Sequence, residues 1–179
     1  MAHDLRAELV ELMPRLRRFG MALTRSLVDA DDLVQMACER ALSRGAQLRV
    51  DTNMGAWMYT TMRNLWIDEV RSRRTRRYDG IETAHDVMGD DGEALAERNN
   101  TWAAVRRALS ELPAQQRVAL TLICVDGMSY KETAEILDIP VGTLASRVAR
   151  GRQTLYQQLA SVSSTAGCGA YASALGGEG

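Results

Sequence analysis

The chain has 179 residues, 46% of them hydrophobic and 25% charged, with a formal net charge of −1. This is a globular composition that excludes a wholly disordered protein, and the length fits one ordinary domain or two small ones. A single Phe and three Pro beside many Ala, Leu, Arg and Glu favour helix over sheet. No apolar run approaches the roughly 20 residues of a membrane span, and the start MAHDLRAELVEL has acids where a signal peptide would be basic and then apolar. We therefore expect an all-α cytoplasmic protein without membrane insertion.

The first helix is predicted by apolar residues that recur at three- and four-residue steps over 5–23. Pro14 should kink or interrupt it. The segment DADDLVQMACERAL predicts a second helix, with Asp29 as its N-cap and Asp32 in its first turn. One face of this helix is polar and carries Asp31, Gln35 and Glu39.

A long third helix is expected to run from about Ala56 into an arginine cluster at 71–77. Its apolar side gathers Trp57, Met58, Met62, Leu65 and Trp66, and we interpret the two tryptophans as core anchors instead of base-stacking platforms. The opposite face gathers Arg63, Asn64, Ile67, Asp68, Arg71 and Arg74. Amide and guanidinium groups on one face can contact bases and phosphates. A merely solvated charged face is the alternative interpretation.

Charge is distributed unevenly along the chain. Residues 1–77 hold 14 basic and 10 acidic residues, 78–98 hold one and seven, and 99–160 hold seven and five. The acidic segment has no sustained period, which is typical of a linker. We therefore expect two small helical domains at 1–77 and 100–160, a flexible acidic linker at 78–99, and a disordered tail at 161–179.

Helical patterning resumes at Thr101, and Pro113 is expected in the first turn of the next helix. The apolar run VALTLICV predicts a buried helix that Gly127 closes. Ser129 and Glu132 then form an S-x-x-E capping box.

A second short helix follows this capped helix. DIPVG breaks the first, Thr143 can cap the second, and Leu144, Val148 and Leu155 should face inward. The outward side is basic and carries Ser146, Arg147, Arg150 and Gln153. This pattern is typical of a helix-turn-helix, whose second helix enters the major groove of DNA. An ordinary helical hairpin with a solvated basic face is the alternative.

Cysteine and histidine spacing does not indicate a metal site. Cys38, Cys124 and Cys168 are an odd number without a C-x-x-C, and His3 and His85 lie far apart in sequence. We find no nucleophile–base pair and no Gly-rich phosphate loop. The sequence therefore predicts no catalytic residue, no metal and no cofactor.

Three blocks together resemble sigma-70-type initiation factors. DADDLVQMACERAL, NMGAWMYTTMRNLWIDEVRSRRTRR and LPAQQRVALTLICVDGMSYKETAEILDIPVGTLASRVARGRQTL are similar to regions 2.2, 2.3–2.4 and 4 of that family. The resemblance is to the short extracytoplasmic-function (ECF) group and extends from about residue 5 to residue 160. TNM-AW followed by RN also resembles the general-stress members of alphaproteobacteria.

The resemblance implies a sigma factor that binds core RNA polymerase and promoter DNA and has an anti-sigma partner. Polymerase clamp helices would dock on Asp31, Asp32, Gln35 and Glu39. The −10 element would be read and opened by Arg63, Asn64, Ile67, Asp68, Arg71 and Arg74, with the loop Asp51–Met54 placed to accept a flipped base. The −35 duplex would be read by Thr143, Ser146, Arg147 and Arg150. Met36 and Ala145 depart from the family pattern, which commonly has an acidic and a basic residue there.

Two other functions are compatible with parts of the pattern. One is a plain helix-turn-helix regulator whose N-terminal half dimerises or senses a signal. The other is a sigma-like decoy that sequesters an anti-sigma protein and never touches DNA. Such a decoy has no reason to keep Asn64, Arg71, Arg74, Arg147 and Arg150.

Overall fold

Residues 5–47, 49, 52–78 and 100–167 are described by a computed structural model. All regular structure in these residues is helical, which confirms the predicted all-α class. The helices are α1 (Leu5–Thr24), α2 (Leu27–Arg44), α3 (Met54–Tyr78), α4 (Asn100–Glu111), α5 (Ala114–Leu120), α6 (Tyr130–Leu137) and α7 (Val141–Gly167). A 3-10 turn, Gly45–Gln47, follows α2, and a π-helical turn, Thr121–Val125, continues α5. The expected linker lies outside the described residues except for its first position, which ends α3.

Two helix boundaries in the first half differ from the prediction. α1 runs through Pro14 without a break. Pro14 and Val10 are both exposed, so the carbonyl that loses its helical partner can be solvated. α2 is capped by Ser26, whose hydroxyl accepts from the Asp29 amide at 3.2 Å. Asp29 therefore lies in the first turn and is not the cap.

Boundaries in the second half also shift. Pro113 is the N-cap of α5 and not a first-turn residue. α7 begins at Val141, directly after Pro140, so Thr143 lies inside the helix and does not cap it. α7 continues to Gly167, which makes 161–167 helical and not part of a disordered tail; residues 168–179 lie outside the described residues.

Helices α1–α3 form the first unit, and their apolar faces meet in its core. Arg25 adopts a left-handed conformation (φ 63°) and reverses the chain between α1 and α2. The two helices approach so closely that a Cβ on Gly20 would lie 3.1 Å from the Cβ of Ala30. Trp57 and Trp66 pack against the core, as predicted. Fully buried side chains at its centre are Leu16, Phe19, Leu33, Met58, Tyr59 and Met62.

Helices α4–α7 form the second unit. Gly127 has φ 70°, the left-handed conformation that ends the α5 segment. The predicted capping box is present: the Glu132 amide donates to the Ser129 hydroxyl at 3.2 Å, and the Ser129 amide donates to the Glu132 carboxylate at 3.0 Å. Hydrogen bonds from the Ser129 side chain and then its backbone lower the pKa of the Glu132 carboxyl. Asp138 ends α6 in the left-handed region (φ 52°).

The two units pack directly against one another. α1 contacts α5 and the π-helical turn, and α3 contacts α6. Apolar side chains from both units form one continuous buried cluster. Polar contacts also cross the boundary. Asp126 of the second unit bonds to both α1 and α3, and Arg117 of the same unit bonds to α1. Among the described helices, none combines the length and apolar character that a membrane crossing requires.

The capping box should contribute measurably to stability. We expect Ser129→Ala to lower the free energy of unfolding by about 1 kcal/mol, because the Glu132 amide loses its acceptor at the start of α6. Urea denaturation followed by circular dichroism measures the change. Ser146→Ala is the matched control, since that exposed hydroxyl bonds only to carbonyls within its own helix, and it should stay within about 0.5 kcal/mol. Equal effects of the two substitutions would contradict this prediction.

Candidate nucleic-acid interface

The face of α3 predicted to contact DNA is mostly open to solvent. Asn64, Asp68, Arg71 and Arg74 are exposed, and Ile67 is half-buried. Their spacing of three or four residues places them along one side of the helix. This surface offers an amide, a carboxylate and two guanidinium groups to a ligand.

Arg63 is the exception among the predicted α3 residues. Its side chain is only 19% exposed, and its Nη2 lies 3.5 Å from Oδ2 of Asp138, in the turn between α6 and α7. Its Nη1 also donates to Asn64 Oδ1 at 3.4 Å. Arg63 is therefore held at the boundary between the two units.

The arginine cluster at the end of α3 contains residues with different roles. Arg73 donates from Nε to Glu69 at 2.7 Å and from Nη2 to Asp29 at 2.9 Å. Its guanidinium also lies 5.6 Å from the ring centroid of Trp66. The hydrogen bonds that Arg73 donates to Asp29 and then to Glu69 raise the pKa of its guanidinium. Arg73 thus ties α3 to α2 and is not offered to a nucleic acid.

A groove of about 340 Å³ lies between α2 and α3. Asp32, Gln35 and Glu39 are exposed along it, and Gln35 Nε2 donates to Glu39 Oε1 at 3.0 Å. Asp31 does not line this groove, and its carboxylate instead pairs with Nε of Arg17 at 3.1 Å. The structure therefore brings together three of the four predicted polymerase-contact residues.

Part of the groove wall is apolar, which the sequence analysis did not predict. The groove is also lined by Leu33, Met36 and Trp66. Met36 is 41% exposed, whereas its neighbour Leu33 is buried, so its side chain is open to a partner in the groove. An acidic edge beside apolar side chains suits a partner that carries both basic and apolar residues.

Helices α6 and α7 form the predicted helix-turn-helix. Leu144 and Val148 are fully buried, which fixes the rotation of α7 and leaves its opposite side outward. Leu155 packs against the core as predicted. The four predicted residues lie on the outward side, Thr143 and Arg147 half-buried, Ser146 and Arg150 exposed.

The outward residues of α7 differ in what they can offer. Ser146 Oγ lies within hydrogen-bond reach of the backbone carbonyls of Gly142 and Thr143, at 3.2 and 2.9 Å. Its proton is therefore directed into the helix, and its oxygen remains an acceptor. Arg150 is exposed and offers the donors that guanine edges and phosphates accept.

The loop predicted to accept a flipped base is partly used for structure. Asn53 Oδ1 accepts from the Ala56 amide at 3.1 Å, and so caps α3. Met54 is buried at the start of that helix. Asp51 lies outside the described residues, and Thr52 is half-buried.

In the part of the chain that the structure describes, no three His, Cys, Asp or Glu side chains come together in a way that could hold a metal ion. Cys38 and Cys124 carry free thiols. Burial and then the charge of Glu39 raise the pKa of Cys38.

Comparison with known families matches both units separately. The family described as "Sigma-70 region 2" matches residues 9–76, and "Sigma-70, region 4" matches residues 102–155. The ECF RNA polymerase sigma factor EcfG of Rhodopseudomonas palustris is 34% identical over 157 residues, covering 85% of this chain and 83% of its own. SigW of Bacillus subtilis is 30% identical over 144 residues, with coverages of 73% and 75%.

Solved structures with a similar fold include a sigma factor bound to an anti-sigma factor. RpoE of Bartonella quintana, crystallised with the anti-sigma factor NepR, is 30% identical with a TM-score of 0.70 and coverages of 87% and 96%. CnrH in complex with the cytosolic domain of CnrY has a TM-score of 0.60 at 22% identity and supports the fold alone, with both coverages at 88%.

The internal role of Arg73 predicts a loss of stability on its removal. Arg73→Ala should lower the free energy of unfolding by about 1 kcal/mol, since these partly exposed ion pairs are weakened by solvent. Arg71→Ala, on the exposed side of the same helix, should change it by less than about 0.5 kcal/mol. Urea denaturation at low and high salt measures both, and the effect of Arg73 should shrink at high salt. If Arg71→Ala destabilises as much as Arg73→Ala, the assignment is wrong.

Proposed function

Since this chain belongs to the ECF group of the sigma-70 family and is an RNA polymerase sigma factor that directs promoter-specific initiation, we propose that its two units divide promoter recognition. The unit of α1–α3, about 1–77, binds core polymerase and the −10 element. The unit of α4–α7, about 100–160, binds the −35 element. One observation carries this division: each unit leaves a DNA-suited helical face exposed, on α3 and on α7.

At the −10 element, the α3 face acts on DNA that is being opened. Arg71 and Arg74 are exposed and suited to phosphates, which position the protein without reading sequence. Asn64 and Asp68 supply donors and acceptors for base edges, with Arg63 and Ile67 flanking them. Taking a base out of the stack costs a few kcal/mol, which these contacts help to offset.

At the −35 element, α7 lies in the major groove and α6 crosses the backbone, as in other helix-turn-helix proteins. Arg150 and Arg147 are the candidates for guanine edges or phosphates. Thr143 and Ser146 lie nearer the helix start, where base edges come closest. Ala145 is small and exposed there, so it leaves room for close approach where relatives commonly place a basic residue.

Core polymerase docks on the groove between α2 and α3. Asp32, Gln35 and Glu39 supply the acidic edge, and Met36 and Trp66 supply apolar contact. Asp31 contributes at most through Arg17, with which it is paired. The polymerase supplies all catalysis, so we assign no enzyme activity, cofactor or metal to this chain, and we place it in the cytoplasm with its DNA.

An anti-sigma protein is the proposed regulator. Similarity to B. quintana RpoE, crystallised with NepR, supports a partner of that kind, and similarity to EcfG supports the alphaproteobacterial general-stress subgroup. The plain regulator and the decoy are not favoured, since both sigma regions match and both DNA-suited faces are kept.

Arg150 should distinguish base reading from phosphate contact at the −35 element. If Arg150 reads a guanine bidentately, Arg150→Ala should cost about 1–3 kcal/mol and relax preference at one −35 position. If it contacts only phosphate, binding should weaken on all sequences and the salt slope should fall by about one. Transcription from −35 and −10 point-variant promoters measures the difference.

The matched control for that experiment is Arg71→Ala. It should impair the −10 element and leave −35 preference intact, because it lies on α3. Full activity of Arg150→Ala on every promoter would remove this residue from the interface.

The two adjacent aspartates of α2 give a separate test of polymerase docking. We expect Asp32→Ala to weaken affinity for core polymerase about fivefold to tenfold, since its carboxylate lines the groove. Asp31→Ala is the control and should change affinity less than twofold, because Asp31 faces Arg17. Titration of labelled core polymerase measures both affinities. A larger loss for Asp31 would place the polymerase on the other side of α2.

A further inference from the structure

The carboxylate of Asp126 is completely buried at the boundary between the two units. Its Oδ1 accepts from Arg18 Nη2 at 2.8 Å, and its Oδ2 accepts from the Tyr59 hydroxyl at 2.8 Å. The backbone carbonyl of the same residue accepts from Arg15 Nη2 at 2.6 Å. One residue of the second unit therefore bonds to both α1 and α3 of the first.

Arg117 is a second buried charge at this boundary and is only 5% exposed. It donates from Nε to the Ala22 carbonyl at 2.7 Å and from Nη1 to the Leu112 carbonyl at 2.8 Å. Burial and then the charge of Arg25 lower the pKa of Arg117 to about 10, so it stays a cation at neutral pH. Its charge faces the carbonyl end of α1, where the helix dipole is negative.

Local backbone features place the Asp126 cluster. The π-helical turn directs the Asp126 amide to the Thr121 carbonyl at 2.9 Å, five residues back. Such π-turns are often found at functional positions. On the other side, Arg15 and Arg18 are three residues apart on one face of α1. The Tyr59 ring is held edge-to-face against Phe19, with centroids 4.9 Å apart.

Buried charges make this a contact that can open. Removing a carboxylate and a guanidinium from water is costly, and their mutual attraction only partly offsets that cost. When the units separate, the buried Asp126 and Arg117 regain solvation, whereas Arg15 and Arg18 are already 40% and 45% exposed in the closed form. The boundary therefore combines these polar contacts with apolar packing, and relative motion is the usual expectation for domains joined by an interface that is not wholly apolar.

The closed arrangement holds part of the proposed −10 face against the second unit. Arg63 on α3 lies 3.5 Å from Asp138, the residue that ends α6 just before the α7 turn, and its side chain is only 19% exposed. In the proposed function each unit binds its own promoter element, and Arg63 cannot take part in the −10 contact while it is held in this way. We therefore expect the units to separate before both elements are contacted.

We propose that Asp126 and Arg117 form an interdomain latch, with Arg15, Arg18, Tyr59 and the Ala22 carbonyl as its receiving side. The latch holds the free chain in a closed form that partly covers Arg63 and keeps α3 packed against α6. Its structural part stands on these contacts alone, and its effect on transcription rests on the proposed function. Partners that bind the separated units would draw the chain into the open form.

Small-angle X-ray scattering of the full chain tests the latch directly. A compact chain of 179 residues has a radius of gyration of about 16 Å, and the wild type should lie within a few ångströms of it. Asp126→Ala should raise the radius by more than about 5 Å, because it removes the acceptor of Arg18 and leaves the buried Tyr59 hydroxyl without a partner, which should shift the closed–open ratio about tenfold or more. Asp138→Asn, which weakens the exposed cross-unit pair and suits the left-handed backbone there, should leave the radius unchanged.

A second variant covers loss of folding. If Asp126→Ala loses its helical circular dichroism, the double variant Tyr59→Phe with Arg18→Ala decides, since it leaves the turn after α5 intact. A helical variant that keeps the wild-type radius overturns the latch, as does a wild type that is already extended.

Run-off transcription with core polymerase separates the two proposals. Opened variants should reach half-maximal transcription at an approximately tenfold lower sigma concentration, because less binding free energy is used for opening. If the wild type supports no transcription, the proposed function fails, while scattering still decides the latch. If opened variants show no gain in transcription, the latch is overturned as a regulatory device.

Discussion

Two helices, α3 and α7, must each bury one face and leave the other free, and much of the structure follows from this constraint. In α7, Leu144 and Val148 are fully buried, which fixes the rotation of the helix and presents Arg150 outward. In α3, Met58 and Met62 do the same. A helix seated in this way needs neighbours on only one side, so short helices such as α6 suffice to complete each unit. The free faces are thus held in place by apolar packing behind them.

The arginines show how context assigns different roles to one side chain. Arg71 projects into solvent at the end of α3, whereas Arg73, two residues on, is bound by Asp29 and Glu69. Arg117 is buried against carbonyl groups at two helix ends. The count of basic residues in a segment therefore overstates the charge available to a nucleic acid. An arginine side chain is available to a nucleic acid only where no carboxylate of a neighbouring helix pairs with it.

Periodicity and local capping predicted the helices and the orientation of α7, because those features depend on residues a few positions apart. The capping box of Ser129 was readable for that reason. The start of α2 was not, since Ser26 and Asp29 are both good caps and the choice depends on the chain reversal at Arg25. The different surroundings of Asp31 and Asp32 could not be predicted either, because they depend on Arg17 in another helix, which pairs with Asp31. The separation of Arg73 from Arg71 likewise depends on α2.

The contact between the units could not be predicted from the sequence, because Tyr59 and Asp126 are 67 positions apart and no motif links them. Its chemistry is nevertheless consistent with the rest of the chain. Surfaces that meet in one state and face water in another cannot be wholly apolar, because separation would expose a large patch that invites aggregation. Charged groups tolerate water when apart and bond to each other when together. Asp126 and Arg117 hold the closed state less strongly than an apolar contact of the same size would, and they let both units remain stable in water after they part.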